Sequence, residues 1–91
     1  MAKNTFRAIP WTNGFGQVIN PGEKVTVVSK DGNGEIRFRS GVFIGCMYDG
    51  SGEWISVCVL EERMINPYVL DGDTEQRRVY YSAGNVFKLA E

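Results

Sequence analysis

The feature that most restricts this chain is a recurring Asp-Gly corner: "DGNGE" at 31–35, "DGSGE" at 49–53 and a looser "DGDTE" at 71–75. Each lies between runs of alternating or β-branched apolar residues. That is a strong hairpin signal, because glycine adopts positive φ freely and Asp tolerates it. No window sustains a helical apolar period, so strands are expected to carry the fold.

The competing reading of these corners is calcium binding. An EF-hand loop needs glycine at its sixth position and a bidentate glutamate at its twelfth. Counted from Asp31 those positions are Ile36 and Val42, from Asp49 they are Trp54 and Leu60, and from Asp71 they are Gln76 and Ser82. All three fail at both positions, so the corners read as structural and no metal or other cofactor is expected.

Strands are predicted over 5–9, 24–30, 35–48, 53–61, 76–82 and 86–89, with an irregular loop "PWTNGFGQVINPG" after the first and a short helical turn at "RMINPY". Pro21-Gly22 reads as a type II turn, and Gly41 and Gly45 mark bends or bulges in the long third strand. Tight corners at Asp49 and Asp31 set Cys46 opposite Ile55, Ile44 opposite Val57, Val27 opposite Phe38 and Val25 opposite Ser40. In that register Arg37 and Arg39 point outward, opposite Val28 and Thr26. Phe43, Met47, Trp54, Cys58 and Leu60 then form a second face too apolar to stay bare, though a one-residue bulge would exchange some of these positions. Two covers are open: the chain itself, through Trp11 and Phe15 or through Phe87 and Leu89, or a partner docked on Trp54, Phe43, Met47 and Leu60.

The 91 residues suit one domain spanning 1–91. Apolar runs such as 57–60 are far too short to span a membrane, and "MAKNTFRAIPW" has no signal-peptide core, so a soluble cytoplasmic protein without membrane contact is expected. The chain has no histidine, which removes the commonest general base and metal ligand. Its two cysteines, Cys46 and Cys58, lack zinc-cluster spacing, and the register puts them on opposite faces of one hairpin, so buried free thiols are expected. Nucleophile-elbow, phosphate-loop and dinucleotide motifs are absent.

The order of elements resembles SH3-like small β-barrels over roughly residues 5–70. "INPGEKVTVV" looks like the turn and strand after their long first loop, and "MINPYV" like the short helical turn before their last strand. KOW and Tudor-like modules share the architecture, and "SGVFIGCM" is similar to a KOW glycine hairpin. The segment after Ile9 lacks the acidic, tyrosine-rich loop that cradles proline helices in peptide-binding SH3 domains. The resemblance implies an all-β fold, a partly open antiparallel barrel of about five to seven strands, with the residues after Leu70 adding a C-terminal hairpin. Size and style also resemble small accessory proteins of phages and other mobile elements.

Such barrels host binding more often than chemistry. The first expectation is a non-enzymatic module that docks on another protein to modulate or inhibit it, or on a second copy of itself, through Trp54, Phe43, Met47 and Leu60. The alternative is a nucleic-acid surface with Arg37, Arg39, Lys24, Lys30, Arg77 and Arg78 on phosphates and Tyr80 or Tyr81 as stacking platforms. A net charge of −1 at pH 7 argues against the second unless the basic residues gather locally. A hydrolase built on Asp71, Asp73 and Glu75 trails both, since turn carboxylates are usually just solvated.

Overall fold

The corners turn out to be three residues long, and that length sets the register of the sheet. In the computed structural model, which describes residues 3–66, 68 and 72–89, the Asp31 N–H donates to Glu35 O at 2.9 Å and the Gly34 N–H to Asp31 O at 3.0 Å. The Asp49 corner repeats this with Asp49 N to Glu53 O at 2.8 Å and Gly52 N to Asp49 O at 3.0 Å. The residues at positive φ are Gly34 (81°) and Gly52 (91°), the second glycine of each corner, as in a type I turn closed by a glycine bulge. Each Asp carboxylate locks its own corner: Asp31 Oδ1 accepts from Asn33 N and Glu35 N, and Asp49 Oδ1 from Ser51 N, Ser51 Oγ and Glu53 N.

These bonds hold both carboxyls below their ordinary range, chiefly through the Glu35 N–H at Asp31 and the Ser51 hydroxyl at Asp49. A folded-state pKa below the unfolded one gives stability that is present above the unfolded value and lost as pH falls through the folded one. Asp49→Ala should therefore lower the melting temperature by a few degrees at pH 7 and flatten the acid limb of stability against pH, as thermal melts from pH 7 to 2 would read out.

The strands are β1 (Thr5–Arg7), β2 (Trp11–Thr12), β3 (Val18–Ile19), β4 (Lys24–Lys30), β5 (Ile36–Tyr48), β6 (Trp54–Met64), β7 (Thr74–Tyr81) and β8 (Val86–Phe87). All pairings are antiparallel, in a six-stranded sheet of order β7-β6-β5-β4-β8, with β1 also on β5, and a separate β2-β3 ribbon. The fold is thus all-β, as expected. The predicted short helical turn is replaced at its start by β6, which runs on to Met64, while Pro67 and Val69 lie outside the described residues. Pro21-Gly22 forms the expected turn, closed by Glu23 N to Asn20 O at 3.1 Å with Gly22 at φ 96°.

Among the described residues the sheet is not closed into a barrel, and the segment after Leu70 does not form the expected C-terminal hairpin. β7 pairs with β6 and β8 with β4, so the last two strands form opposite edges. Only a short 3-10 turn (Ala83–Asn85) joins them. At a strand spacing of ~4.8 Å, the edges of a flat sheet in this order would stand ~19 Å apart, beyond the ~13 Å that such a connection reaches. The sheet must therefore curl.

β5 makes that curl. Its first part pairs with β4 from Ile36 to Val42, and its last part with β1 from Cys46 to Tyr48. Between them the ladder with β6 shifts at Phe43/Gly45, and a second shift follows at Met47/Tyr48. Glycine is needed at both sequence-marked positions. A Cβ on Gly45 (φ 154°) would stand 2.3 Å from Arg7 O and 2.8 Å from the Phe6 ring, and one on Gly41 2.4 Å from Val59 Cγ1.

Three-residue corners move the β4-β5 ladder, and the pairing of Phe43 with β6, one residue from the predicted register, and one residue exchanges the faces; the β5 shifts move Cys46 two, from Ile55 to Val57, which keeps it on the core face. Val27 stands opposite Arg39 rather than Phe38, and Phe43 opposite Val59. The inner face carries Val25, Val27, Phe43, Cys46, Val57, Val59 and Val86, all buried, and the β2-β3 ribbon closes over it with Trp11 and Ile19. Two side chains fasten the ribbon to the far edge. Asn13 Nδ2 donates to Val86 O at 3.2 Å, and Gln17 exchanges bonds with the Lys88 backbone at 2.7 and 2.8 Å.

Candidate functional site

The four residues expected to form a docking face are split by the fold. Phe43 is fully buried in the core, and Trp54 lies on the same inner face, stacked on Trp11 with centroids 6.4 Å apart and planes 5° from parallel. Trp11 also stacks on Phe43 at 6.1 Å. The first loop therefore covers this pair through Trp11, the intramolecular one of the two covers expected, and what is corrected is their grouping with Met47 and Leu60 as a partner-docking face. Among the described residues Trp54 Nε1 is buried without a hydrogen-bond partner, so Trp54 is held by its apolar contacts. Met47 and Leu60 do lie on the outer face, half-buried, in register with Ser56 and Val42.

The outer face is built from the alternate residues of each strand. Phe6 of β1, opposite Met47, covers one end, lying against Gly45 with the Arg78 guanidinium 5.2 Å from its ring centroid. Cys58, opposite Gly45, is fully buried. Burial pushes its thiol pKa up, as it does that of Cys46 on the inner face; both thiols are free. Away from Phe6 the face opens along Val42 and Leu60 towards the β4-β5 hairpin, where Phe38 and Ile36 are 68% and 58% exposed. Tyr80, 50% exposed, borders a shallow depression of ≈ 390 Å³ lined by Asn4, Met47, Ile55 and Ser56. A second, of ≈ 310 Å³, is lined by residues that include Lys24, Ser40, Val42, Leu60, Glu62 and Gln76.

Phe38 and Ile36 were missed as surface residues because a two-residue corner turns Phe38 inward. The second glycine of DGNGE was the available signal, since it supplies the positive φ that closes a three-residue loop.

The eight basic and aromatic residues of the alternative do not form one strip. Arg37 is on the inner-face side of the hairpin, opposite Ser29, and is bonded to Asp31 and Glu35 at 3.2 Å each, while Arg39 stands opposite Val27. Arg77 is paired with Glu75 on the inner face, and Tyr81 is half-buried there. Lys24, Lys30, Arg78 and Tyr80 belong to the outer face by alternation along β4 and β7.

A buried polar cluster ends the inner face. Glu61, 2% exposed, accepts from Arg63 Nε at 2.9 Å and Nη2 at 2.7 Å and from the Tyr81 hydroxyl. Burial first, then Glu61, pushes the Tyr81 phenol up to about 12. The phenol and the guanidinium both bond the one carboxylate, which ties β6 and β7 together as a clamp. Of the three carboxylates considered for hydrolysis, Asp71 lies outside the described residues, and Glu75 is bonded to Arg77 and paired in register with Arg63. Of the third Asp-Gly stretch, residues 73–75 continue the pairing with β6, Ile65 N donating to Asp73 O at 3.0 Å, while its first residue lies outside the described residues. Among the described residues there is no group of three metal-ligating side chains, and no helix is long and apolar enough to cross a membrane.

No protein-family model matches this chain, and neither a curated protein nor a solved structure is detectably similar to it, so the reading of its function rests on the geometry above.

Proposed function

We propose that the chain is a non-enzymatic protein-binding module that docks its partner on the outer face of the sheet, centred on the β4-β5 hairpin. The observation that carries this is the exposure of Phe38 and Ile36 on the same face as half-buried Val42, Leu60 and Met47. Single exposed apolar residues are ordinary, whereas several on one face, interrupted by Ser40 and rimmed by Lys24, Lys30 and Glu62, have the make-up of an interaction surface. The accompanying fold reading is an opened SH3-like domain, supported by the order of first loop, Pro21-Gly22 turn and two successive hairpins. The free buried thiols support a reducing, cytoplasmic setting.

A second reading, single-stranded nucleic acid on this same face, is favoured by one observation. The outer face gathers Lys24, Lys30 and Arg78 with the exposed rings of Phe38 and Tyr80.

Phe38→Asp separates the readings from a folding defect, because an exposed position should leave the melting temperature within about 2 °C of wild type. Cross-linking in native extract should yield a protein partner whose capture falls at least ~10-fold with Phe38→Asp. Unchanged capture by that variant would remove the outer face as the docking site. Salt-sensitive binding of an oligonucleotide, weakened when Lys24, Lys30 and Arg78 become glutamine, would favour the second reading instead.

A further inference from the structure

β7 is an edge strand: its Thr74–Tyr81 backbone pairs with β6 on one side, and among the described residues no strand pairs with the other. A free edge of this length is a template for another strand unless its side chains forbid it. The side chains of β7 forbid most arrangements and favour one.

Two charged rows cross from β6 to β7 on the inner face and stop at that edge: Arg63 opposite Glu75, and Glu61 opposite Arg77. We propose that β7 pairs antiparallel with β7 of a second copy about a two-fold axis at Gln76. Glu75 then stands opposite Arg77 of the second copy, and the reverse, because an isologous contact is reciprocal. Both rows continue with alternating sign, from Arg63 through Glu75 to Arg77 and Glu61 of the other copy. Thr74 meets Arg78 and Gln76 meets its own counterpart, so no like charges are opposed.

The neighbouring registers lack this property. Axes at Glu75, Arg77 or Arg78 set each of those residues against itself, and like charges directly opposite destabilise a pair. An axis at Val79 matches Arg77 and Arg78 with Tyr81 and Tyr80 and leaves both charged rows ending at the edge. The contact joins two sheets into one and puts both outer faces on the same side, so a dimer presents two Phe38 patches together.

Strand addition alone buries less than the ~1,200 Å² of a standard stable interface, so a weak dimer is expected, with a dissociation constant on the order of 100 µM. Sedimentation velocity from about 10 µM to 1 mM should show wild type shifting from monomer to dimer. Glu75→Arg and Arg77→Glu should each weaken the dimer at least ~10-fold, since each opposes like charges twice. An equimolar mixture of the two single variants should restore dimers, because opposite charges then meet at both positions, and the double reversal should dimerise more tightly than either single variant although it sets like charges against Arg63 and Glu61 within each chain. Far-UV circular dichroism would confirm that each variant is folded. A wild type that stays monomeric throughout, a dimer indifferent to both reversals, or a mixture that fails to associate would each overturn the proposal.

Discussion

Trp54→Ala should lower the folding free energy by about 3–5 kcal/mol, a large part of the roughly 5–14 kcal/mol available to a chain of this length. The indole lies between the inner face of the sheet and Trp11, 6.4 Å away in a parallel stack, and Trp11 in turn stacks on Phe43. Removing it opens a void beneath the β2-β3 ribbon, which Asn13 and Gln17 pin to the opposite edge and so keep from collapsing inward. The loss combines apolar area returned to water with the unfilled cavity. Urea denaturation followed by circular dichroism measures it, with Phe38→Ala as the exposed control, expected within about 0.5 kcal/mol of wild type. A Trp54→Ala protein within ~1 kcal/mol of wild type would show that the stack is not part of the core.

Glu61→Ala should also be damaging, at about 1–3 kcal/mol, because it removes a buried acceptor and leaves the half-buried donors that converge on it unsatisfied. The Tyr81 hydroxyl and two Arg63 nitrogens converge on this one carboxylate. Replacing donor and acceptor together is expected to cost less, since the loss comes from the group left unsatisfied. A Glu61→Leu/Tyr81→Phe protein should therefore be more stable than Glu61→Ala in the same denaturation series. The clamp also sets the alkaline limb. The Tyr81 pKa of about 12 lies above the ordinary tyrosine value of 10.0, so its contribution is full below pH 10 and is lost as pH rises from there through 12. Tyr81→Phe should flatten that limb between pH 9 and 12, and an unchanged slope would separate the phenol from the clamp.

Much of the strand map was legible in the sequence, because Asp-Gly corners and alternation are local signals. β4, β5 and most of β6 and β7 fall where the pattern puts them, and Pro21-Gly22 and Gly45 do what their backbone freedom implies. The candidate site was less legible. Met47 and Leu60 reach the outer face, but Phe43 and Trp54 reverse sides, and Phe38 and Ile36 emerge in their place. One extra residue in each corner accounts for the reversal at Phe38, and the added shifts along β5 for the rest. β2 and β3 escaped notice because two-residue strands show no period. They are held by Asn13 and Gln17 reaching residues 86 and 88, a contact no window can contain.

By itself the sequence determined an all-β chain with hairpins at Asp31 and Asp49, because turn chemistry and strand alternation act within a few residues. The tertiary structure decided which face of each strand is buried, that the sheet stays open, and that β7 and β8 end at opposite edges. Those outcomes depend on register and on long-range closure. A one-residue difference in a loop leaves local propensities nearly unchanged yet moves every side chain of a strand to the other side.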